Sequence, residues 1–420
     1  MRRLLNLFNL QLPIWLVTPM LALMLMAGAG GGYFTALRIT TPCPQSPEVC
    51  ASFANFWKAW DVASANFVDP EAIEPQRMTD GAITGMLDSL GDQGHTRYLP
   101  PAAAQAEREA LSGRFEGIGA YIDVRDDQPL IIQPIDGSPA ARAGIKPGDL
   151  IIQVNGEDVR GITVDELQAK VRGPRGTSVT LTLQHESGET TYEVTITREE
   201  IKVPSVTWRM LPDNVALIRL IQFSEPSSEE MIAALQEAQA QGATSVVLDL
   251  RNNPGGLVNE LVTIASQFLP PETAVLLEQN REGTRTPFNT EQDGVARDIP
   301  LVVLVNNNSA SSAEILAGSL KEYGRATVIG VPTFGTATVL RRFDLNDGAQ
   351  MYLGTTEWLT PNGEQVRNVG IEPNEIVALP PGVAPLSPAD AAALNVEELL
   401  GSEDAQLVAA LKEAQRVARR

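Results

Sequence analysis

The sequence predicts a multidomain α/β protein, and three observations carry the prediction. An apolar, uncharged run fills the N-terminus, a compact stretch of short strands with two helices lies in the middle, and strands then alternate with helices. Strands separated by helices imply crossover connections and a largely parallel sheet, whereas strands parted by Gly, Pro and Asp turns imply a small β-rich domain. The divisions fall at 1–40 (membrane segment), 41–112 (helical region), 113–200 (β-rich domain with two helices), 201–380 (α/β core) and 381–420 (linker and helix). A chain of 420 residues with 43% hydrophobic content is long enough for several domains and a full core.

At the N-terminus, Arg2 and Arg3 precede a stretch from Leu4 to Leu37 that lacks any charged residue and includes LPIWLVTPMLALMLMAGAG. Roughly 20 apolar residues cross a bilayer, and the basic end stays cytoplasmic. An uncleaved anchor is the favoured reading, and a signal peptide cut after Ala27-Gly28-Ala29 is the alternative. Both place the remainder outside the cytoplasm, membrane-anchored or secreted. There the two cysteines, Cys43 and Cys50, are candidates for one small disulfide loop. With only two histidines, His95 and His185, no His-based metal centre is expected, and no cofactor. The net charge of −20 argues against nucleic acid or an anionic membrane surface as the main partner.

From Ser52 the pattern is helical. Phe53, Phe56, Trp57 and Trp60 recur at helical spacing, which predicts core packing. A second amphipathic helix ends near Gly91, and His95 follows in a loop, where a lone histidine reads as structural. The β-rich stretch contains FEGIGAYIDV, PLIIQPI, DLIIQVNG, SVTLTLQ and TYEVTIT as strands, with helices in SPAARAGIKPGD and TVDELQAKVRG. In the α/β part VALIRLIQF, TSVVLDLR, IPLVVLVN and ATVIGV read as strands, and SSEEMIAALQEAQAQG, VNELVTIASQFL and SSAEILAGSLKEYG as helices. Residues 270–300 read as a loop or hairpin excursion, and the C-terminus as a Pro-rich linker with a solvated amphipathic helix.

Two loops at the carboxyl ends of buried strands stand out, where open α/β sheets hold their sites. LDLRNNPGGLVNE places Gly255 and Gly256 at the start of a helix, with amides suited to a developing anion. VNNNSASSAEILAG places Ser311 or Ser312 in the first turn of the next helix, with a hydroxyl free to face a cleft.

Two resemblances follow from these motifs. GSPAARAGIKPGDLIIQVNG and its neighbours resemble a PDZ domain, which implies that Gly117-Ile118-Gly119-Ala120 offers amides to a peptide's terminal carboxylate. LDLRNNPGG, SASSAEILAGSL, YGRATVIG and PTFG, in that order behind such a domain, resemble the carboxyl-terminal processing peptidases, or tail-specific serine proteases. The likeness runs over residues 52–378, including GAITGMLDSLGD, HTRYL, WLTPNG and GIEP. It implies a ClpP/crotonase-like core, Ser311 as nucleophile, and an oxyanion site made by Gly255, Gly256 and the amide of Ser312. It also implies a lysine base in a Thr-Phe-Gly-Lys-Gly pattern with a glutamine four residues on. Here the pattern reads Thr333-Phe334-Gly335-Thr336-Ala337, and Leu340 stands at the glutamine position. Threonine cannot take a proton near neutral pH, and general acid–base help is worth about 10²–10⁴-fold. The resemblance therefore leaves two expectations. One is a peptidase acting on polypeptides with free C-termini through an altered base; the other is an inactive, PDZ-based binding or adaptor protein.

Overall fold

The computed structural model describes residues 45 to 419 except Gln93, Gly94, Asp126, Asp136, Glu186, Ser187, Glu189, Gln292 and Ala337, together with the side chain of Asp165. The predicted membrane segment and Cys43 lie outside the described residues. No helix among the described residues is long and apolar enough to cross a membrane.

The chain divides into two compact units, at Thr79/Asp80. The first carries helix α1 (Pro47–Asn66), started by the Ser46 side chain accepting from the Val49 amide and by proline in its first turn. Helix α1 buries none of its residues. Phe56 and Trp57 stack edge to face at 5.1 Å, and Trp57 remains 57% exposed. Core packing of the aromatic stripe is thus not what the structure has. Helical spacing fixes which side chains share a face, and it says nothing about what covers that face.

Helix α2 (Pro75–Asp88) runs across the division. The second unit continues through strand β1 (Arg97–Leu99), helix α3 (Pro101–Ser112) and strand β2 (Arg114–Gly117) into the β-rich domain. That domain contains β3 (Ala120–Arg125), β4 (Gln128–Pro134), the short helix α4 (Pro139–Arg142), β5 (Leu150–Val154), β6 (Glu157–Asp158), helix α5 (Val164–Val171), β7 (Ser178–Gln184) and β8 (Thr191–Thr197). Its antiparallel sheet has the order β3-β4-β5-β7-β8, with β6 paired to β5. The alternation in SVTLTLQ is realised literally: Val179, Leu181 and Leu183 point into a core shared with Ile131, Ile151 and Leu167. Strand β9 (Glu199–Lys202) pairs back with β2 and closes the domain.

The α/β core follows as β10 (Val206–Leu211), β11 (Val215–Leu220), α6 (Ser227–Ala240), β12 (Ser245–Asp249), α7 (Val258–Ala265), the hairpin β13 (Ala274–Gln279) and β14 (Arg285–Asn289), β15 (Leu301–Val305), α8 (Ser312–Glu322) and β16 (Thr327–Gly330). A long hairpin, β17 (Thr338–Asp344) and β18 (Gln350–Leu359), precedes the short β19 (Glu375–Ile376). The main sheet has the order β10-β11-β12-β15-β16-β19, parallel from β11 onward. Strands β12 and β15 are buried at every residue. Their side chains feed two cores in alternation: Val246, Leu248, Val303 and Val305 meet helices α6–α8 on one face, while Val247, Val302 and Leu304 meet the opposite one. Each fully buried aliphatic side chain of this kind contributes about 1.5–3 kcal/mol.

The opposite face is covered by the C-terminus. Helices α9 (Pro388–Ala393), α10 (Val396–Leu400) and α11 (Ala405–Ala418) pack there, α11 through buried Leu407, Ala410, Leu411 and Ala414. The solvated helix of the sequence reading is therefore half embedded. Its apolar stripe is narrow and alanine-rich, which lets it lie close to the sheet.

Candidate active site

Both Gly- and Ser-rich loops leave the main sheet at its carboxyl edge, and a ladder of polar side chains stitches them together. The Asn252 amide donates to Asn306 Oδ1 at 2.9 Å and Asn306 Nδ2 donates back to Asn252 Oδ1 at 2.8 Å. The Ala310 amide donates to the Asn253 carbonyl at 2.9 Å, and Ser309 Oγ donates to the Leu250 carbonyl at 2.8 Å. Ser311 then stands as the N-cap of α8 with φ 53°, ψ −120°, a conformation that a non-glycine residue adopts only when its surroundings impose it.

The Asn-Pro-Gly-Gly turn is pressed directly against this serine. A Cβ on Gly255, whose φ is +94°, would lie 2.7 Å from Ser311 Cβ and 3.0 Å from the Ser312 amide nitrogen. Gly256 approaches the Phe223 carbonyl so closely that any side chain would overlap it. The three amides expected around an oxyanion are not equivalent. That of Gly255 already donates to Asn253 Oδ1 at 2.8 Å, whereas those of Gly256 and Ser312 have no acceptor among the described residues. Ser312 Oγ donates to the Gly256 carbonyl at 2.9 Å and locks turn to helix. Two unengaged amides at a helix N-terminus, beside a hydroxyl on a strained backbone, suit the charge that develops on a carbonyl oxygen under attack.

Thr336 is drawn inward. Its Oγ1 accepts the Ser311 amide at 2.7 Å and donates to Glu314 Oε2 at 2.6 Å. Glu314, three residues into α8, is wholly buried and serves five donors: the amides of Ser311, Gly335 and Thr336 and the hydroxyls of Thr333 and Thr336, at 2.5–3.0 Å. A carboxylate at this helix position also meets the favourable end of the helix dipole. It organises the PTFGT loop, and with both oxygens engaged it offers no lone pair to the Ser311 hydroxyl. The other residue standing at a family position, Leu340, lies in β17 opposite Gly354, and Ala337 is outside the described residues. Lys321 donates to the Glu372 carbonyl at 2.6 Å, away from the site. His185 belongs to the β-rich domain, where its Nδ1 bonds Asp149. His95 is buried and its Nδ1 bonds Thr338 Oγ1, two residues beyond Thr336. Burial pushes its imidazole below the ordinary value, with Asp92 opposing the shift and Arg97 adding to it. Among the described residues no cluster of three or more His, Cys, Asp or Glu is placed to hold a metal.

Sequence reasoning passed over Glu314, Asn253 and Thr338. A signal for Glu314 was present, since serine followed three residues later by glutamate ahead of an apolar run is a capping box. Thr338 had none, because its partner lies 243 positions away.

A groove lies between β3 and α5 in the β-rich domain. Ile118, Gly119, Ala120, Ile122, Gln168 and Val171 line a cavity of about 320 Å³ together with Pro204, Ser205 and Ile221 of the α/β part. The amides of Ile118 and Gly119 have no acceptor among the described residues, while Gly119 O accepts from Ser138 Oγ at 2.7 Å and from the Ile135 amide at 2.9 Å. Gly117 ends β2 and Ala120 begins β3. At the rim, Arg172 pairs with Glu109 of α3 at 2.6 Å and lies over the Phe115 ring.

Comparison with known proteins matches residues 214–377 to the model of peptidase family S41 and residues 130–185 to that of the PDZ domain. The chain is 36% identical over 330 residues to the carboxy-terminal processing protease CtpA of Bacillus subtilis, covering 79% of this chain and 70% of the relative. It is 37% identical over 308 residues to a probable CtpA-like serine protease of Staphylococcus aureus, covering 73% of this chain and 61% of the relative's length. Among solved structures, a photosystem II D1 C-terminal processing protease aligns with 84% of this chain and 98% of its own, at 26% identity and a TM-score of 0.47.

Proposed function

The chain belongs to the carboxy-terminal processing proteases of peptidase family S41 and carries a PDZ domain, and from this premise we propose that it is an exported serine peptidase that seizes polypeptides by their free C-termini and cuts them at Ser311. One observation carries the proposal: the amides of Gly256 and Ser312, which have no acceptor among the described residues, sit beside a serine held at φ 53°. The groove beside Ile118 and Gly119 supports capture of an extended segment along β3 and of its carboxylate by the loop. The uncharged run from Leu4 to Leu37 supports placement outside the cytoplasm, anchored or secreted. The test is cleavage of a reduced and alkylated protein by the full chain and by Ser311→Ala. Cleavage that persists in the variant removes Ser311 from the role.

A second reading, a binding or adaptor protein, draws on Thr336 bonding the Ser311 amide where the family's lysine would stand. Restoring the family pattern with Thr336→Lys, Ala337→Gly and Leu340→Gln separates the two. A wild type without activity, awakened by the triple change, supports the adaptor.

A further inference from the structure

We infer that His95 is the proton acceptor for Ser311, oriented through Thr338 by Asp92; this rests on the peptidase reading. The hydrogen-bond directions fix the tautomer. Thr338 Oγ1 donates its one proton to Asp92 Oδ2 at 3.1 Å, so the bond between Thr338 Oγ1 and His95 Nδ1 has the imidazole as donor. Nε2 therefore carries the lone pair, and it has no partner among the described residues. Asp92 is itself fixed, by Thr96 Oγ1 at 2.6 Å and by Arg367 at 3.8 Å. A carboxylate, a relay hydroxyl and a histidine with its outer nitrogen free reproduce the logic by which a third group orients a base beside a serine.

Chain continuity through Thr336 links this set to the surroundings of Ser311. Thr336 bonds the Ser311 amide, and Thr338 stands two residues on, so their Cα atoms lie within about 7 Å. His95 and Ser311 share no hydrogen bond in this structure. Catalytic bonds in unliganded enzymes are commonly long and tighten with substrate. The charged groups around the imidazole are Asp92 from the loop before β1, Arg97 from β1, and Arg367 through Asp92. Burial favours the neutral, proton-accepting form at neutral pH.

The steps balance without any further reactant but water. Nε2 takes the Ser311 hydroxyl proton as Oγ bonds the scissile carbonyl carbon, and the carbonyl π electrons move to the oxygen facing Gly256 and Ser312. The carbonyl re-forms, the C–N bond breaks, and the imidazolium gives its proton to the leaving amine. Water then loses a proton to Nε2, its oxygen takes the acyl group, and Ser311 Oγ recovers the proton.

The experiment follows cleavage of reduced and alkylated lactalbumin by the full chain, Ser311→Ala, His95→Gln, His95→Ala, Thr338→Val and Thr338→Ser. His95→Gln should lose about 10²–10⁴-fold, and added imidazole should restore His95→Ala. Thr338→Val should lose activity and Thr338→Ser regain it. The wild-type rate should fall on acidification below the ordinary histidine range, a limb missing from the residual activity of His95→Gln. Should His95→Gln fail to fold, judged by thermal unfolding, the Thr338 pair and imidazole rescue carry the test. A His95→Gln rate equal to wild type, with Ser311→Ala dead, overturns His95 as base and leaves the peptidase reading standing. Loss in His95→Ala without imidazole rescue, with an unchanged acid limb in Thr338→Val, also overturns it. A wild type without Ser311-dependent cleavage overturns both.

Discussion

Thr336 Oγ1 accepts the amide proton of Ser311 at 2.7 Å and passes its own proton to Glu314 at 2.6 Å. The residue that stands where the resemblance expects a lysine is part of the mounting of Ser311. Thr336→Val should cost about 1–3 kcal/mol, because a buried amide and a buried carboxylate each lose a partner. Urea unfolding measures the cost, and Thr336→Ser should recover most of it.

Gly255→Ala should leave the sheet intact and lower kcat by about 10²–10³-fold, the scale of a lost oxyanion donor. The added methyl has to push Ser311 or the Ser312 amide aside. Steady-state kinetics checks it, with KM expected to move far less than kcat.

Stability should respond to His95 below neutral pH. Its folded-state value lies under the ordinary 6.5 because burial disfavours the charged ring. Between those two values the unfolded chain binds the extra proton, so stability falls as pH drops through 6.5 and levels off below the folded value. Urea midpoints over this range should drop more steeply for wild type than for His95→Gln, the carboxylates being common to both.

Asp404→Ala should destabilise the chain by about 3–5 kcal/mol, the cost of stripping a partner from a buried charge. Arg251 is fully buried, pairs with Asp249 at 2.9 Å and with Asp404 at 2.8 Å, and both carboxylates hold its guanidinium above its ordinary value. Chemical denaturation gives the number.

Peptides with free C-termini should bind the full chain at least tenfold more tightly than their amidated forms, by fluorescence anisotropy. Gly119→Ala should abolish the difference, because its methyl would overlap Ser138. Equal affinity for both peptide forms would remove the carboxylate loop from the account.

Much of the core was legible. Continuous apolar runs such as SVVLD and LVVLV announced strands buried on both faces, and β12 and β15 sit at the centre of the sheet. Strand β10 escaped because VTWRML at a sheet edge mixes polar and apolar residues without period. The β17–β18 hairpin escaped because β17 is largely exposed and carries little apolar signal. Within the site, short-range features such as Gly-Gly and Ser-Ala-Ser could be read directly. The links that set protonation, His95 to Thr338 and Asp92 to Thr338, span most of the chain and leave no local trace.

Arg251 also sets an order of events. It belongs to the turn that holds Gly255 and Gly256, yet one of its two counter-charges arrives only with Asp404, which begins the last described helix. Asp249 reaches this guanidinium from two residues away, whereas Asp404 lies 153 positions further on, so the second carboxylate can join only after that whole stretch has been made.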